Sequence, residues 1–121
     1  MNIQESGEMY LENILVLTKK RGAVRSIDIV NYTGYSKPSI SRAMGILKKD
    51  KLIDVEAGGN ITLTEEGRRI AERIYERHTL LCEFLTRIGV NPETAAEDAC
   101  KMEHIISDET FQKIKEHAKQ K

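Results

Sequence analysis

The chain has 121 residues, 40% of them hydrophobic and 31% charged, and its formal net charge at pH 7 is zero. This size suits one or two small domains, and the composition is that of a globular protein. No apolar run approaches the roughly 18 residues of a membrane span, and residues 1–8 lack the basic and apolar regions of a signal peptide. We therefore expect a cytoplasmic protein with no membrane partner. Two cysteines predict free or metal-bound thiols rather than a disulfide framework.

The charge is unevenly distributed along the chain. Residues 1–63 carry nine Lys or Arg and seven Asp or Glu, whereas residues 64–121 carry ten and twelve. Residues 36–51 alone hold five basic residues and one acidic residue. A local basic patch of this kind provides the phosphate contacts that nucleic-acid binding needs, although it also fits a solvated helix face.

The first half of the chain begins with three predicted helices. Helical spacing of apolar residues predicts the first over Gln4–Lys20. Ser26 is expected to cap a short second helix that ends before Gly34. Ser36 is expected to cap a third helix, with Pro38 in its first turn, where no intrahelical N–H is lost.

A hairpin and three further helices are predicted after residue 51. Leu52–Glu56 and Ile61–Leu63 have strand character and flank a glycine-rich turn. A long fourth helix is predicted from the Thr64 cap to Ile88, with acidic residues in its first turn. The fifth and sixth helices are predicted over Pro92–Ile106 and Asp108–Lys119.

Two short helices joined by a turn, followed by a hairpin, indicate a helix-turn-helix with a wing. In this arrangement the second helix enters the major groove with its N-terminal residues at the base edges. A winged helix that binds protein instead of DNA fits the same order of elements. The predicted DNA-binding residues are Ser36, Lys37, Pro38, Ser39, Ser41 and Arg42.

The fifth helix carries three residues that can ligate a metal. Cys100, Glu103 and His104 stand at i, i+3 and i+4, so that their side chains converge within about one turn. We expect them on a different face from the apolar stripe of Ala95, Ala99, Met102 and Ile106. Three ligands rarely complete a metal shell. Further candidates are His78 on the fourth helix and Met9 with Glu12 on the first, although each could instead be a packing or hydrogen-bonding residue.

Nearly the whole chain resembles the diphtheria toxin repressor and manganese transport regulator (DtxR/MntR) family. The resemblance implies a metal-activated repressor that binds operator DNA as a homodimer. It also implies a mainly α fold, with a winged helix-turn-helix over residues 1–63 and a helical metal-binding and dimerisation domain over residues 64–121. The SH3-like domain of longer members is not expected. The matching segments, in the family's order and spacing, are Glu8–Glu12, Ser36–Ser41, Leu63–Gly67, Arg77–Leu81 and Cys100–His104.

The resemblance also implies a ligand set. Met9, Cys100, Glu103 and His104 match ligand positions of the iron-responsive members. Glu12 and His78 match ligand positions of the manganese-responsive members, and His78 also matches an ancillary ligand of the iron-responsive ones.

Two departures from the family pattern leave a second metal site open. Cys82 stands where a glutamate ligand is expected, and Ala96 stands where an iron-responsive member has a histidine. Met9 and Cys100 stand where a manganese site has carboxylates. Thioether and thiolate ligands suit softer ions, so Fe(II) is favoured over Mn(II), with Co(II), Ni(II) or Zn(II) able to substitute.

Two other classes of function remain open from the residues alone. One is a metal-independent winged-helix regulator with redox-sensing cysteines. The other is a small metalloenzyme or metal-buffering protein. The chain shows no nucleophile and base with a defined partner, so we expect neither an enzyme nor a small-molecule substrate.

Overall fold

The computed structural model describes residues 3–119, with side chains from 6 to 118. Over that range it has six helices and one two-stranded sheet, and it divides into two compact units, one up to Glu72 and one from Arg73 onward. The predicted domain boundary after Leu63 stays a prediction. The elements are α1 Ile3–Arg21, α2 Ser26–Thr33, α3 Lys37–Lys49, β1 Ile53–Val55, β2 Ile61–Leu63, α4 Glu65–Arg87, α5 Pro92–Ile105 and α6 Asp108–Lys119.

The first unit is built around α1, whose apolar residues recur every three or four positions and so share one face. That face packs with α2, α3 and the two strands around one hydrophobic core. Each fully buried residue of the core removes apolar surface from water, which is the main stabilising contribution to the unit. The most deeply buried members are Leu11, Ile14, Leu15, Val24, Ile29, Ile40, Ile53 and Ile61.

The helix-turn-helix forms as predicted, and Gly34 makes its turn. Gly34 has φ 78°, in the left-handed region, and its N–H donates to the Val30 carbonyl at 2.8 Å. The Ser36 hydroxyl accepts a hydrogen bond from the Ser39 N–H, which confirms the predicted cap of α3. The predicted cap of α2 is wrong by one residue. The Arg25 N–H donates to the Asp28 carboxylate at 2.9 Å, so the helix already includes Ser26.

The wing is a short antiparallel hairpin attached to the start of α4. Ile53 pairs with Leu63, and both strands are three residues long, so β1 is shorter than predicted. The Thr64 hydroxyl donates to the Lys51 carbonyl at 2.8 Å and accepts from the Gly67 N–H at 3.1 Å. Thr64 therefore caps α4 as predicted and ties this cap to the chain that enters the wing.

The second unit consists of the rest of α4 with α5 and α6. The predicted ends of α4 and α5 each lie one residue beyond the observed ends, and α6 has the predicted bounds. Two charged residues, Arg77 and Glu103, are buried among its apolar side chains. None of the helices in residues 3–119 has the length and apolar character that crossing a membrane requires.

Candidate metal centre and nucleic-acid interface

The ligand turn of α5 is fixed by how the helix begins and by which face it buries. The Asn91 side chain accepts a hydrogen bond from the Glu93 N–H at 2.9 Å, which caps the helix at its predicted start. Ala95, Ala99 and Glu103 then recur every four residues and are all fully buried. The expectation that Glu103 lies on a different face from the alanine stripe is therefore wrong.

The Glu103 carboxylate brings together two of the predicted ligands. Its Oε2 atom lies 2.8 Å from Nδ1 of His78, and its Oε1 atom lies 3.3 Å from Nε2 of His104. Glu103 has no exposed surface, and His104 is only 11% exposed. Three of the six predicted metal ligands therefore meet within the second unit alone.

The donor atoms in this cluster fit a divalent ion. Although Oε1 of Glu103 is fully buried, it has no hydrogen bond to any residue the structure describes. A buried carboxylate oxygen without a partner is costly, so its position requires an explanation. Nitrogen and oxygen ligands about 2.1 Å from one ion lie about 3.0–3.4 Å apart at octahedral to tetrahedral angles. The distance of 3.3 Å between Oε1 of Glu103 and Nε2 of His104 lies within this range.

The two cysteines differ in their surroundings. Cys100 lies three residues before Glu103 on α5, with an exposed side chain. Cys82 is half-buried on α4, and its Sγ atom lies 3.7 Å from Nε2 of His78. Burial raises the pKa of the Cys82 thiol, and the carboxylates of Glu103 and Glu83 raise that pKa further. Cys82 is therefore a protonated thiol at neutral pH.

The remaining two predicted ligands, Met9 and Glu12, belong to the first unit. Both are half-buried and stand three residues apart on α1, so they are neighbours on one side of that helix. Tyr10 between them is buried, and its ring contacts the ring of Tyr35 edge-on, with centroids 6.3 Å apart. This contact joins the ligand-bearing turn of α1 to the residue directly before the cap of α3.

Sequence reasoning missed Arg77, which contacts the same turn of α5. Its guanidinium donates to the backbone carbonyl of Glu103 at 3.2 Å. A signal was present, because Ile70, Ile74, Arg77 and Leu81 follow one helical stripe. A charged residue at a position that the spacing predicts to be buried indicates a specific polar partner.

The amino-terminal part of α3 forms the candidate nucleic-acid interface. Ser39 is half-buried, and its hydroxyl lies 2.9 Å from that of Ser36, whose hydroxyl also caps the helix. Two of the six predicted DNA-binding residues, Ser36 and Ser39, are therefore engaged in hydrogen bonds at the start of the helix. The exposed residues of the predicted set are Ser36, Lys37, Pro38, Ser41 and Arg42.

Comparison with known proteins decides the family. Residues 64–120 match the family model described as the iron dependent repressor, metal binding and dimerisation domain. The HTH-type transcriptional regulator MntR of Geobacillus thermodenitrificans is 33% identical over 109 residues, which cover 90% of this chain and 77% of that protein. The chain belongs to the DtxR/MntR family of metal-dependent transcriptional repressors. The family consists of repressors and not enzymes, as expected from the sequence.

Other DtxR/MntR relatives are longer than this chain. The transcriptional regulator MntR of Escherichia coli O6:H1 is 35% identical over 102 residues, covering 84% of this chain and 66% of that protein. A solved structure of a manganese-dependent transcriptional repressor in complex with manganese is 27% identical with a TM-score of 0.84. The match covers 93% of this chain and 52% of that protein. The likeness confirms the predicted fold class, a mainly α chain with a winged helix-turn-helix and a dimerisation domain.

Proposed function

We propose that this chain is a cytoplasmic repressor that binds operator DNA as a homodimer when Fe(II) is bound. The observation that carries the proposal is the Glu103 carboxylate, which is fully buried between His78 and His104 with one oxygen lacking a hydrogen bond among the described residues. A carboxylate between two imidazoles is a donor set that divalent transition metals bind.

The proposed ligands come from both units of the chain. Glu103, His104 and His78 form the core of the site. Cys100 lies one turn before Glu103 on α5, and Met9 and Glu12 lie on α1. The proposed ligand set is Met9, Glu12, His78, Cys100, Glu103 and His104.

In the proposed mechanism, these residues couple metal binding to DNA binding. A bound divalent ion would supply the positive charge that holds anionic and neutral donors of the two units together. Met9 and Glu12 are on α1, which packs against α2 and α3. By engaging with the ligands on α5, they would restrict the positions that the two α3 helices of a dimer sample. Operator half-sites read by such dimers lie about 34–36 Å apart, so a restricted separation raises DNA affinity.

The preference for Fe(II) over Mn(II) is supported by ligand softness. Met9 offers a thioether and Cys100 a thiolate, and such ligands favour softer ions than carboxylates do. The similar solved structure of a manganese-dependent transcriptional repressor in complex with manganese supports the other outcome, a response to Mn(II). The properties of Cys82 argue against the alternative of a metal-independent regulator with redox-sensing cysteines. Oxidation sensing requires a thiolate, whereas the raised pKa keeps Cys82 protonated.

The test is an anaerobic mobility-shift titration of the full chain on duplexes enriched from a random pool. We expect a shift with Fe(II), a weaker one with Mn(II), and none with chelator. The affinities for metal and DNA must strengthen each other by the same factor because the two equilibria are linked. Equal binding with and without chelator would overturn metal dependence, and the absence of any shift would overturn DNA binding.

The variant Met9→Asp, Cys100→Glu is the matched control for metal preference in the same titration. We expect the response to move from Fe(II) towards Mn(II) because two soft ligands become hard ones, while the preferred DNA sequence stays the same. If the unmodified chain already responds as strongly to Mn(II), and the double variant changes nothing, then Met9 and Cys100 do not set the preference.

A second prediction concerns Arg42, which is exposed on α3. Arg42→Ala should weaken operator binding by about 1–3 kcal/mol if the guanidinium reads a guanine. Lys49→Ala, which removes the same charge from the far end of α3, is the control. Because a charge that makes no base contact carries no sequence information, we expect any loss of affinity in this control to be equal on all duplexes. Unchanged affinity in Arg42→Ala would exclude Arg42 from the interface.

A further inference from the structure

A buried guanidinium from α4 caps the carboxyl end of α5. Arg77 is 6% exposed, and its Nη1 atom donates to the carbonyls of Glu103 at 3.2 Å and Ile106 at 3.0 Å. The last carbonyls of a helix have no intrahelical donor, and the helix dipole favours positive charge beside them. Arg77 satisfies both requirements at the turn that carries Glu103 and His104.

The other side of the same guanidinium contacts α6. Its Nη2 atom forms an ion pair with Asp108 in the first turn of that helix. The guanidinium carbon lies 5.3 Å from the centroid of the Phe111 ring, within the range of a cation–π contact. The guanidinium binds the two carbonyls through Nη1 and the carboxylate through Nη2. A lysine ammonium would offer its three donors from a single nitrogen, so lysine is not equivalent here.

Arg77 and its neighbour His78 contact Glu103 at two different points. Arg77 binds the backbone carbonyl, and His78 lies 2.8 Å from Oε2 of the carboxylate. The backbone and one carboxylate oxygen are thereby held, and Oε1 remains as the oxygen without a hydrogen bond among the described residues. The carboxylate can then present Oε1 in only a narrow range of directions.

We propose that Arg77 is a positioning residue of the metal centre, which aims Oε1 of Glu103 by fixing the backbone of the ligand turn. The proposal rests on the metal site of the proposed function. Stability alone does not account well for this residue. The Nε atom of Arg77 is buried and has no hydrogen bond within the described part of the chain, and an unsatisfied buried donor is destabilising.

The test measures Co(II) binding to the full chain, by titration and by the visible absorption of the bound ion, which reports ligand geometry. Arg77→Met removes all the donors, and Arg77→Lys keeps the charge without the fork. We expect both variants to bind Co(II) about tenfold more weakly, the lower end of the loss seen when residues that orient metal ligands are removed. We also expect an altered absorption spectrum at unchanged helix content by circular dichroism.

Glu76→Gln is the matched control. It removes the 3.1 Å ion pair between Glu76 and Lys115, another link from α4 to α6 that does not involve α5. We expect wild-type affinity and spectrum from this control. An equal loss there would assign the effect to α6 packing and overturn the role of Arg77.

Two further outcomes separate this inference from the proposed function. If the unmodified chain does not bind Co(II), the proposed metal site is wrong. If the unmodified chain binds Co(II) and the folded Arg77→Lys variant matches it in affinity and spectrum, the guanidinium fork does not position Glu103. Arg77→Lys decides this point even if Arg77→Met does not fold, because it retains the positive charge at the end of α5.

Discussion

Gly67→Ala is expected to lower the free energy of unfolding of the metal-free protein by about 3 kcal/mol, from overpacking and lost hydrogen bonds together. A Cβ atom at Gly67 would lie 2.0 Å from the carbonyl oxygen of Leu52 and 2.9 Å from its carbonyl carbon. The clash is with backbone, which no side-chain rotation can relieve. The Leu52 carbonyl also accepts a hydrogen bond from the Thr64 N–H at 3.1 Å, so the two segments cannot separate without losing this bond.

The measurement is denaturant unfolding of the metal-free chain, with Gly45→Ala as the matched control. Gly45 lies within α3, and a Cβ there would meet nothing within 4 Å. Alanine is favoured over glycine inside a helix by about 1 kcal/mol, so the control should be more stable than the unmodified chain. Shifts of the same sign in both variants would contradict the close approach of α4 to the chain entering the wing.

Glu103→Gln is expected to separate metal binding from folding. The substitution keeps the shape of the side chain but removes its charge and its strength as a ligand. We expect metal affinity to fall at least about 100-fold, the upper end of losses seen even for residues that only support metal ligands. We expect the metal-free variant to be as stable as the unmodified chain or more stable, because removing a carboxylate charge from water is costly and Oε1 of Glu103 has no hydrogen bond among the described residues.

Thermal unfolding with and without Co(II) tests both the predicted loss of metal affinity and the predicted stability of the metal-free variant. Metal at 100 times its Kd should stabilise the unmodified chain by about 2.7 kcal/mol and the variant hardly at all. Glu97→Gln, which changes an exposed carboxylate of the same helix, should leave the metal response intact. Retained stabilisation in Glu103→Gln would exclude Glu103 as a ligand. A large loss of metal-free stability would assign it a structural role instead.

The elements of the first unit could be predicted because their signals are local. The Ser36 cap, the Gly34 turn and the alternating residues of Ile61–Leu63 each specify backbone geometry within a few residues. The start of α2 lies one residue earlier than predicted because the Asp28 carboxylate accepts from the Arg25 N–H and so stabilises Arg25 as the cap. This hydrogen bond depends on side-chain direction, which spacing alone does not give.

The arrangement of the second unit could be predicted only in part. The spacing of Glu103 and His104 predicted their proximity, but not that Glu103 shares the buried face of Ala95 and Ala99. A four-residue spacing aligns Glu103 with the alanines, but a carboxylate is ordinarily exposed. A buried one is recognised only when its partners from another helix are known. Arg77 was missed for a similar reason, since its acceptors are backbone carbonyls, which every residue has.

The residue that caps α3 is different from two exposed residues of the helix that are proposed to contact DNA. The Ser36 hydroxyl accepts from the Ser39 N–H at 3.3 Å, so replacing it would weaken the helix itself. Ser41 and Arg42 are exposed beyond the first turn, where a change of side chain leaves this cap intact. Under the proposed function, duplicated copies of this gene could acquire new operators by drift at these two positions without passing through unstable intermediates.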